Sequence, residues 1–141
     1  RRGAPLRHVK LHGALYHRVS RDAQQANAAL RAFRRACPEA VVFAQAGSAF
    51  AARARAEGFR VAEEAFADRR YRDGALVPRR ESGAVLDDPA EIAMQALALA
   101  RGELGPGADT LCLHGDHPRA AENARLVREG LAAAGIEVRA P

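Results

Sequence analysis

The sequence contains no tryptophan, one methionine, two cysteines and only 5% aromatic residues in 141 positions. Cys37 and Cys112 are too few for a disulfide framework and lack the spacing of a zinc motif, so we expect a reducing, cytoplasmic setting. No apolar run approaches the roughly 20 residues that cross a bilayer, and no signal peptide is recognisable. The composition therefore argues against a disulfide-rich secreted protein and against contact with a membrane.

Lysine is nearly absent as well, because Lys10 is the only lysine among 22 basic residues. Residues 1–60 hold 12 basic and 3 acidic side chains, whereas residues 61–141 hold 10 and 14. The arginines of the first half are scattered among alanines, without aromatic stacking runs or a basic arm, so we expect no nucleic-acid partner. A lone lysine among arginines favours a site that needs a compact ammonium group.

Apolar periodicity predicts one domain over residues 1–141, in which strands and helices alternate. Ser20 is available to cap the first long helix, Asp116 the last one, and Asp88-Pro89 opens the helix between them. Alternation of this kind predicts an α/β fold with parallel strands and helices packed outside, as an open sheet or as part of a barrel. The predicted strands are 7–12, 40–44, 59–65, 110–113 and 136–138, and the predicted helices 22–36, 47–57, 88–101 and 116–134.

Two of the predicted strands run into a His-Gly corner, at His12-Gly13 and at His114-Gly115. Side chains at the carboxyl ends of parallel strands collect into active sites, so we expect both corners to face one pocket. Histidine transfers protons near neutral pH or binds metal, and glycine permits a left-handed turn or close approach of a ligand. Each histidine, taken alone, is also compatible with a structural role. Asp116 beside a helix start favours either a plain cap or an anion site.

The segment 66–87 has no clean periodicity, and a loop of this length in a compact domain is usually functional or disordered. Its apolar anchors favour an ordered, functional loop. Glu64, Asp68, Arg69 and Tyr71 bring acidic, basic and hydroxyl groups together there. Arg69 has the geometry to clamp a carboxylate or phosphate with two hydrogen bonds, and an internal ion pair with Asp68 or Glu64 is the competing interpretation.

Four short segments together resemble the 5-oxoprolinase proteins of the LamB/YcsF family, which form the A component of that enzyme. They read VKLHGALY at residues 9–16, FADRRY at 66–71, GALVPR at 74–79 and CLHGD at 112–116. Their order and spacing match the family along nearly the whole chain. Leu11 and His17 depart from the family pattern, which has proline and asparagine there, and the family's N-terminal acidic and histidine motifs have no counterpart. The resemblance therefore predicts the C-terminal part of a deacetylase-like β/α barrel.

The resemblance implies ATP-dependent opening of 5-oxoproline to L-glutamate with two partner subunits, B and C. Lys10 would steady phosphate charge, and His12 and His114 would transfer protons or help to hold a divalent metal. Asp116 would orient a histidine or a metal-bound water, and Arg69 would bind the substrate carboxylate. The other implied substrate-binding residues are Gly13, Tyr16, Glu64 and Gly115.

Two other interpretations stay open at this point. A metal-dependent amide hydrolase or deacetylase on the same barrel would use His12, His114 and Asp116 as ligands without ATP. A chain that lacks the family's N-terminal motifs would alternatively be catalytically inactive and only bind the partner subunits.

Overall fold

The computed structural model describes residues 6–140, which divide into two compact units with their boundary inside one strand. The first unit extends to Glu63 and the second covers Glu64–Ala140. In the described part of the chain no helix is long and apolar enough to cross a membrane.

The first unit alternates strands with helices. Strand β1 pairs in parallel with β2, with Val9 opposite Val42 and Lys10 opposite Phe43. The backbone N–H of Val42 donates to the carbonyl of Arg60, just before β3. The elements are β1 (His8–Lys10), α1 (Gly13–Arg18), α2 (Ala23–Ala36), β2 (Val41–Gln45), α3 (Ala49–Ala56) and β3 (Val61–Phe66), which continues into the second unit.

Helix α2 packs against the first core with one apolar stripe. Ala26 and Leu30 are buried on it, and Phe33 packs against the same core. The helix is capped by Asp22, whose carboxylate accepts hydrogen bonds from the backbone N–H groups of Gln24 and Gln25 at 2.9 and 3.1 Å. The prediction of Ser20 as the cap was wrong, because the carboxylate at Asp22 already satisfies these N–H groups.

The second unit combines the end of β3 with a hairpin, two helices and one further strand. Strand β6 pairs in parallel with β3, with Ala65 opposite Leu111 and Phe66 opposite Cys112. Helices α4 and α5 cover a second core that includes Ile92, Val127 and Leu131. The remaining elements are β4 (Tyr71–Arg72), β5 (Ala75–Leu76), α4 (Pro89–Ala100), β6 (Thr110–Cys112) and α5 (Ala120–Ala133).

The segment that was predicted as a long loop contains a short antiparallel hairpin. Tyr71 lies opposite Leu76, and Asp73 and Gly74 form the turn with φ of 52° and 75°. Two consecutive positive φ angles are what a tight hairpin requires, and Asp-Gly supplies them at low cost. The segment also contains a bridge between Arg69 and Val85.

Two predictions in the second unit were wrong. Helix α5 begins at Ala120 with Arg119 before it, so Asp116 does not cap this helix. The reason is Pro118, since the residue before a proline is disfavoured in the α region and His117 therefore stays outside the helix. Residues 136–138 form no strand in the described part of the chain, although Ile136 packs against the second core.

Candidate functional site

The central feature of the second unit is a buried carboxylate that holds one histidine by both its backbone and its ring. Asp68 is 1% exposed, and its Oδ2 accepts a hydrogen bond of 2.7 Å from the backbone N–H of His114. The His114 Nδ1 lies 2.9 Å from Asp68 Oδ1 and 3.0 Å from Oδ2. Because both the main chain and the imidazole are fixed by one side chain, the ring orientation of His114 is determined.

The ionisation state of Asp68 determines which ring nitrogen of His114 carries the proton. Burial would raise the pKa of Asp68, but the hydrogen bonds and the charge of His114 outweigh it, so that pKa lies below the usual 3.8. An ionised carboxylate only accepts hydrogen bonds, and Nδ1 must therefore donate. The neutral His114 ring then has its free lone pair on Nε2. This is the arrangement that lets Nε2 accept a proton.

Gln95 of helix α4 fixes the backbone on both sides of Asp68. The Gln95 side-chain amide nitrogen lies 2.7 Å from both the Ala67 and the Arg69 carbonyl oxygens, which flank Asp68. The Tyr71 hydroxyl accepts a hydrogen bond of 2.9 Å from the backbone N–H of Phe66. These contacts satisfy polar backbone groups where the chain leaves β3 and fix the turn that carries the carboxylate.

Strand β6 brings His114 to this turn. The strand ends at Cys112 beside Phe66, and the Ala67 N–H donates to the Cys112 carbonyl at 3.0 Å. The His114 ring stacks on the Phe66 ring with centroids 5.8 Å apart. The carboxyl ends of two neighbouring parallel strands thus place the acid and the histidine side by side.

A cavity of 160 Å³ lies at this edge of the second unit. Sites for drug-sized ligands are typically about 300–1,000 Å³, so this cavity suits a small molecule or a single phosphoryl group. Its charged and polar lining includes Asp68, Arg69, Arg79, His114, Asp116 and His117.

The two arginines of the cavity have different surroundings. Arg69 is 4% exposed, and its Nε and one terminal nitrogen donate to the carbonyls of Ala84 and Val77 at 3.2 and 2.7 Å. Burial, followed by the charge of Arg79, lowers the pKa of Arg69. Arg79 is instead half-exposed and donates to the Asp116 carboxylate at 3.0 Å. Arg69 thus supports the loop, while Arg79 reaches solvent.

His117 was not singled out by the sequence as a functional residue. Its side chain is buried, and its Nδ1 accepts a hydrogen bond of 3.0 Å from the backbone N–H of Arg119. Its Nδ1 also lies 3.2 Å from the Asn123 amide nitrogen, and its Nε2 lies 3.6 Å from Asp87. No local signal distinguishes His117, since its environment is set by the irregular turn before α5.

Comparison with known proteins places the whole chain in one family. The model of the LamB/YcsF family matches residues 1–141. This chain belongs to the LamB/YcsF family. Proteins named as the A subunit of 5-oxoprolinase, one from Heliobacterium modesticaldum and one from Thermus thermophilus, are each 45% identical to it over 98% of its length.

Among solved structures, a lactam utilization protein from Thermus thermophilus superposes with a TM-score of 0.87 at 41% identity over 97% of this LamB/YcsF chain. The chain spans 58% of that structure and 58% and 59% of the two curated relatives. This coverage is consistent with the predicted C-terminal portion. The predicted fold class is confirmed, since parallel strands with helices fit part of a β/α barrel.

The residues predicted at the first corner of this LamB/YcsF chain lie in the first unit. Lys10 ends β1 with its ammonium 5.7 Å from the centre of the ring of Tyr16, which is buried. His12 precedes α1 and makes no side-chain capping bond. Gly13 has φ of 59°, the left-handed conformation that the sequence predicted as one possibility. That both corners face one pocket stays a prediction.

The remaining predicted residues lie in the second unit. Glu64 is buried within β3 and lies opposite Thr110 of β6. Gly115 follows His114 in a turn with open space around it. The hydrogen-bond partner of the His114 ring is Asp68, whereas Asp116 contacts Arg79. The sequence predicts Asp68 either as part of a functional loop with Glu64, Arg69 and Tyr71 or as an ion-pair partner of Arg69, and it does not predict the pairing with His114.

The residues predicted as metal ligands are His12 in the first unit and His114 and Asp116 in the second. Within residues 6–140, no group of three or more His, Cys, Asp or Glu side chains is arranged to hold a metal ion. His114 Nδ1 is engaged by Asp68 and Asp116 is paired with Arg79, while His12 belongs to the other unit. Because Asp68 engages only Nδ1 of His114, its Nε2 stays available, and a metal role for His114 and Asp116 stays a prediction.

Proposed function

We propose that this chain forms part of the A subunit of an ATP-dependent 5-oxoprolinase, which opens the lactam ring of 5-oxoproline to give L-glutamate. The observation that carries the proposal is 45% identity with proteins of that name along 98% of the chain. The Asp68–His114 pair beside a small cavity supports it, because lactam opening needs a positioned group that moves protons.

The reaction adds water across the amide bond of the ring. A water oxygen bonds to the carbonyl carbon, the carbon–nitrogen bond breaks, and the ring nitrogen takes up a proton to become an amino group. His114 Nε2 would take a proton from the water and return it to the ring nitrogen. Asp68 would act as a positioning residue, since it keeps the Nδ1 proton on the far side of the ring and stabilises the imidazolium.

A cavity of 160 Å³ has room for a five-membered lactam or one phosphoryl group. ATP, when bound, would supply the phosphoryl group that activates the poorly electrophilic lactam carbonyl; ADP would be released, and this group would leave as inorganic phosphate when the new carboxylate of glutamate forms. Arg79 and Arg69 bring two guanidinium groups to the same cavity, beside the carboxylates of Asp68, Asp87 and Asp116, and a guanidinium is the group that binds a carboxylate or phosphate with two hydrogen bonds. Lys10 in the first unit stays the proposed contact for phosphate charge.

The proposed setting is the cytoplasm, and the proposed partners are the B and C subunits of the same enzyme. The relatives' name supports partner subunits in general terms. The His12 role in proton transfer and the substrate contacts of Gly13, Tyr16, Glu64 and Gly115 are part of the same proposal.

The experiment follows glutamate and ADP release from 5-oxoproline with ATP and subunits B and C present. It compares this chain with a version that is extended upstream in its own reading frame. Equal amounts of glutamate and ADP from the extended protein are expected. Glutamate without ADP would instead indicate the ATP-independent amide hydrolase. If neither protein forms glutamate although both are correctly assembled, the chain would only bind its partner subunits.

A further inference from the structure

The substrate of the proposed reaction carries a carboxylate next to the lactam ring, and this inference rests on that proposed function. Recognition of a carboxylate normally uses a guanidinium group that is accessible and has hydrogen-bonding capacity to exchange. The cavity beside His114 is lined by two arginines, Arg69 and Arg79. The two differ in how readily a ligand could engage them.

Arg69 is committed to the fold. Its guanidinium is buried, and its hydrogen bonds to the Ala84 and Val77 carbonyls tie the two sides of the loop together. Turning this guanidinium towards a ligand would leave both buried carbonyls without their donors. Such unsatisfied groups are costly, so Arg69 is expected to stay where it is.

Arg79 has the opposite character. Its side chain is 54% exposed, and it forms an ion pair of 3.0 Å with Asp116, which is 68% exposed. An ion pair between two exposed side chains contributes little to stability, because both groups are well hydrated when apart. Exchanging the Asp116 carboxylate for the carboxylate of a ligand is therefore inexpensive.

The charges around Arg79 set the condition for an anion to bind there. Arg79 lies close enough to Arg69 for its charge to contribute to the lowered pKa of Arg69, while the charge of Asp68 acts in the opposite direction. The same cavity is also lined by the carboxylates of Asp87 and Asp116, so a ligand carboxylate binds Arg79 by replacing Asp116. Asp116 occupies Arg79 with the same chemical group that the ligand would present.

We propose that Arg79 is the carboxylate-binding residue for the lactam substrate and that Asp116 competes with the substrate for it. The role predicted for Arg69 thereby passes to an arginine ten positions further along the chain. Arg79 binds the carboxylate, while His114 in the same cavity serves the ring amide.

The test measures KM and kcat for 5-oxoproline in the extended protein, assembled with subunits B and C, for wild type, Arg79→Gln and Arg79→Lys. The matched control is Arg72→Gln, since Arg72 lies in the neighbouring hairpin, outside the cavity lining, is exposed and pairs with Glu81. Loss of a hydrogen bond to a charged group weakens a dissociation constant by about 10- to 100-fold. Arg79→Gln is therefore expected to raise the KM for 5-oxoproline by that factor. Arg79→Lys should retain part of the affinity, and Arg72→Gln should match wild type.

Two further measurements identify the ligand group. 2-Pyrrolidinone, which has the ring but no carboxylate, should inhibit wild type and Arg79→Gln with the same inhibition constant. Asp116→Asn should lower the KM for 5-oxoproline by up to about fivefold, because it removes the competitor.

The outcomes separate the role of Arg79 from the proposed function. A wild type that makes no glutamate contradicts the proposed function itself. An active wild type with an unchanged KM in folded Arg79→Gln and Arg79→Lys overturns the role of Arg79. A rise in the KM for ATP instead of the KM for 5-oxoproline also overturns it, since Arg79 would then serve a phosphate.

Discussion

Replacing Asp68 by asparagine should separate the chemical role of this carboxylate from its structural role. Asparagine has nearly the same size, so the change leaves no cavity in a position that is 1% exposed. The amide oxygen can still accept one hydrogen bond, for example from the His114 backbone N–H, which lies 2.7 Å from Oδ2 in the native protein. The amide nitrogen, however, can only donate, and it would face the ring nitrogen that natively lies 2.9 Å from Oδ1.

The His114 ring must respond by changing its tautomer. Because the amide nitrogen of the Asp68→Asn variant cannot accept a hydrogen bond, Nδ1 becomes the acceptor and the proton moves to Nε2. Protonated Nε2 then cannot take a proton from water. An equivalent acid-to-amide change in serine proteases lowers kcat by about 10⁴-fold through the wrong tautomer. We therefore expect Asp68→Asn to lower kcat about 10³- to 10⁴-fold, with a loss of only about 1–3 kcal/mol in the free energy of unfolding.

The assay is glutamate release by the extended protein, assembled with subunits B and C, together with urea unfolding and ¹⁵N NMR of the imidazole. Asp73→Asn is the matched control, because Asp73 lies at positive φ in the hairpin turn, where asparagine is also well tolerated. It should leave both kcat and stability within about twofold and about 0.5 kcal/mol of wild type. A folded Asp68→Asn protein with kcat within tenfold of wild type would refute the reasoning.

Three further predictions concern stability. Gln95→Met should lower the free energy of unfolding by about 1–3 kcal/mol in urea unfolding, because the carbonyls beside Asp68 lose their donor; an unchanged value would contradict this. Gly13→Ala should lower the free energy of unfolding by about 1–2 kcal/mol, because Gly13 has a φ of 59°. Gly130→Ala inside α5 should instead raise it by about 0.5–1 kcal/mol. Equal shifts of the two variants in thermal melting would contradict this explanation. Because the pKa of Asp68 is lowered in the folded protein, its ionised form stabilises the fold above pH 3.8, and this contribution is lost as the pH falls through the folded-state pKa. Below pH 3.8, the free energy of unfolding should therefore fall more steeply for wild type than for Asp68→Asn.

Much of the fold is predictable from the sequence, because local patterns determine it. Apolar periodicity predicts the helix over 22–36, and the structure has α2 at Ala23–Ala36. The start of α5 was missed, since a capping aspartate and a proline two residues later give conflicting local signals. In the structure Pro118 has the larger effect, because its ring disfavours the helical conformation of His117 and so prevents a helix that starts directly after Asp116.

The site was predictable in composition but not in pairing. His114 was singled out because it ends a strand, whereas its partner Asp68 lies 46 residues earlier in the sequence. Their contact depends on the register that places Phe66 opposite Cys112, which no local pattern specifies. Nothing in the sequence shows that Arg69 donates to two loop carbonyls, and its role as a substrate-binding residue stays a prediction.

The most direct test of the account is glutamate formation from 5-oxoproline by the extended protein with ATP and subunits B and C, for wild type and His114→Gln. His17→Asn is the control, since His17 is exposed on α1 and has no part in the proposed site. We predict that wild type and His17→Asn release glutamate at similar rates and that His114→Gln is slower by at least about 10²-fold. Undiminished glutamate release by a folded His114→Gln protein would contradict the account.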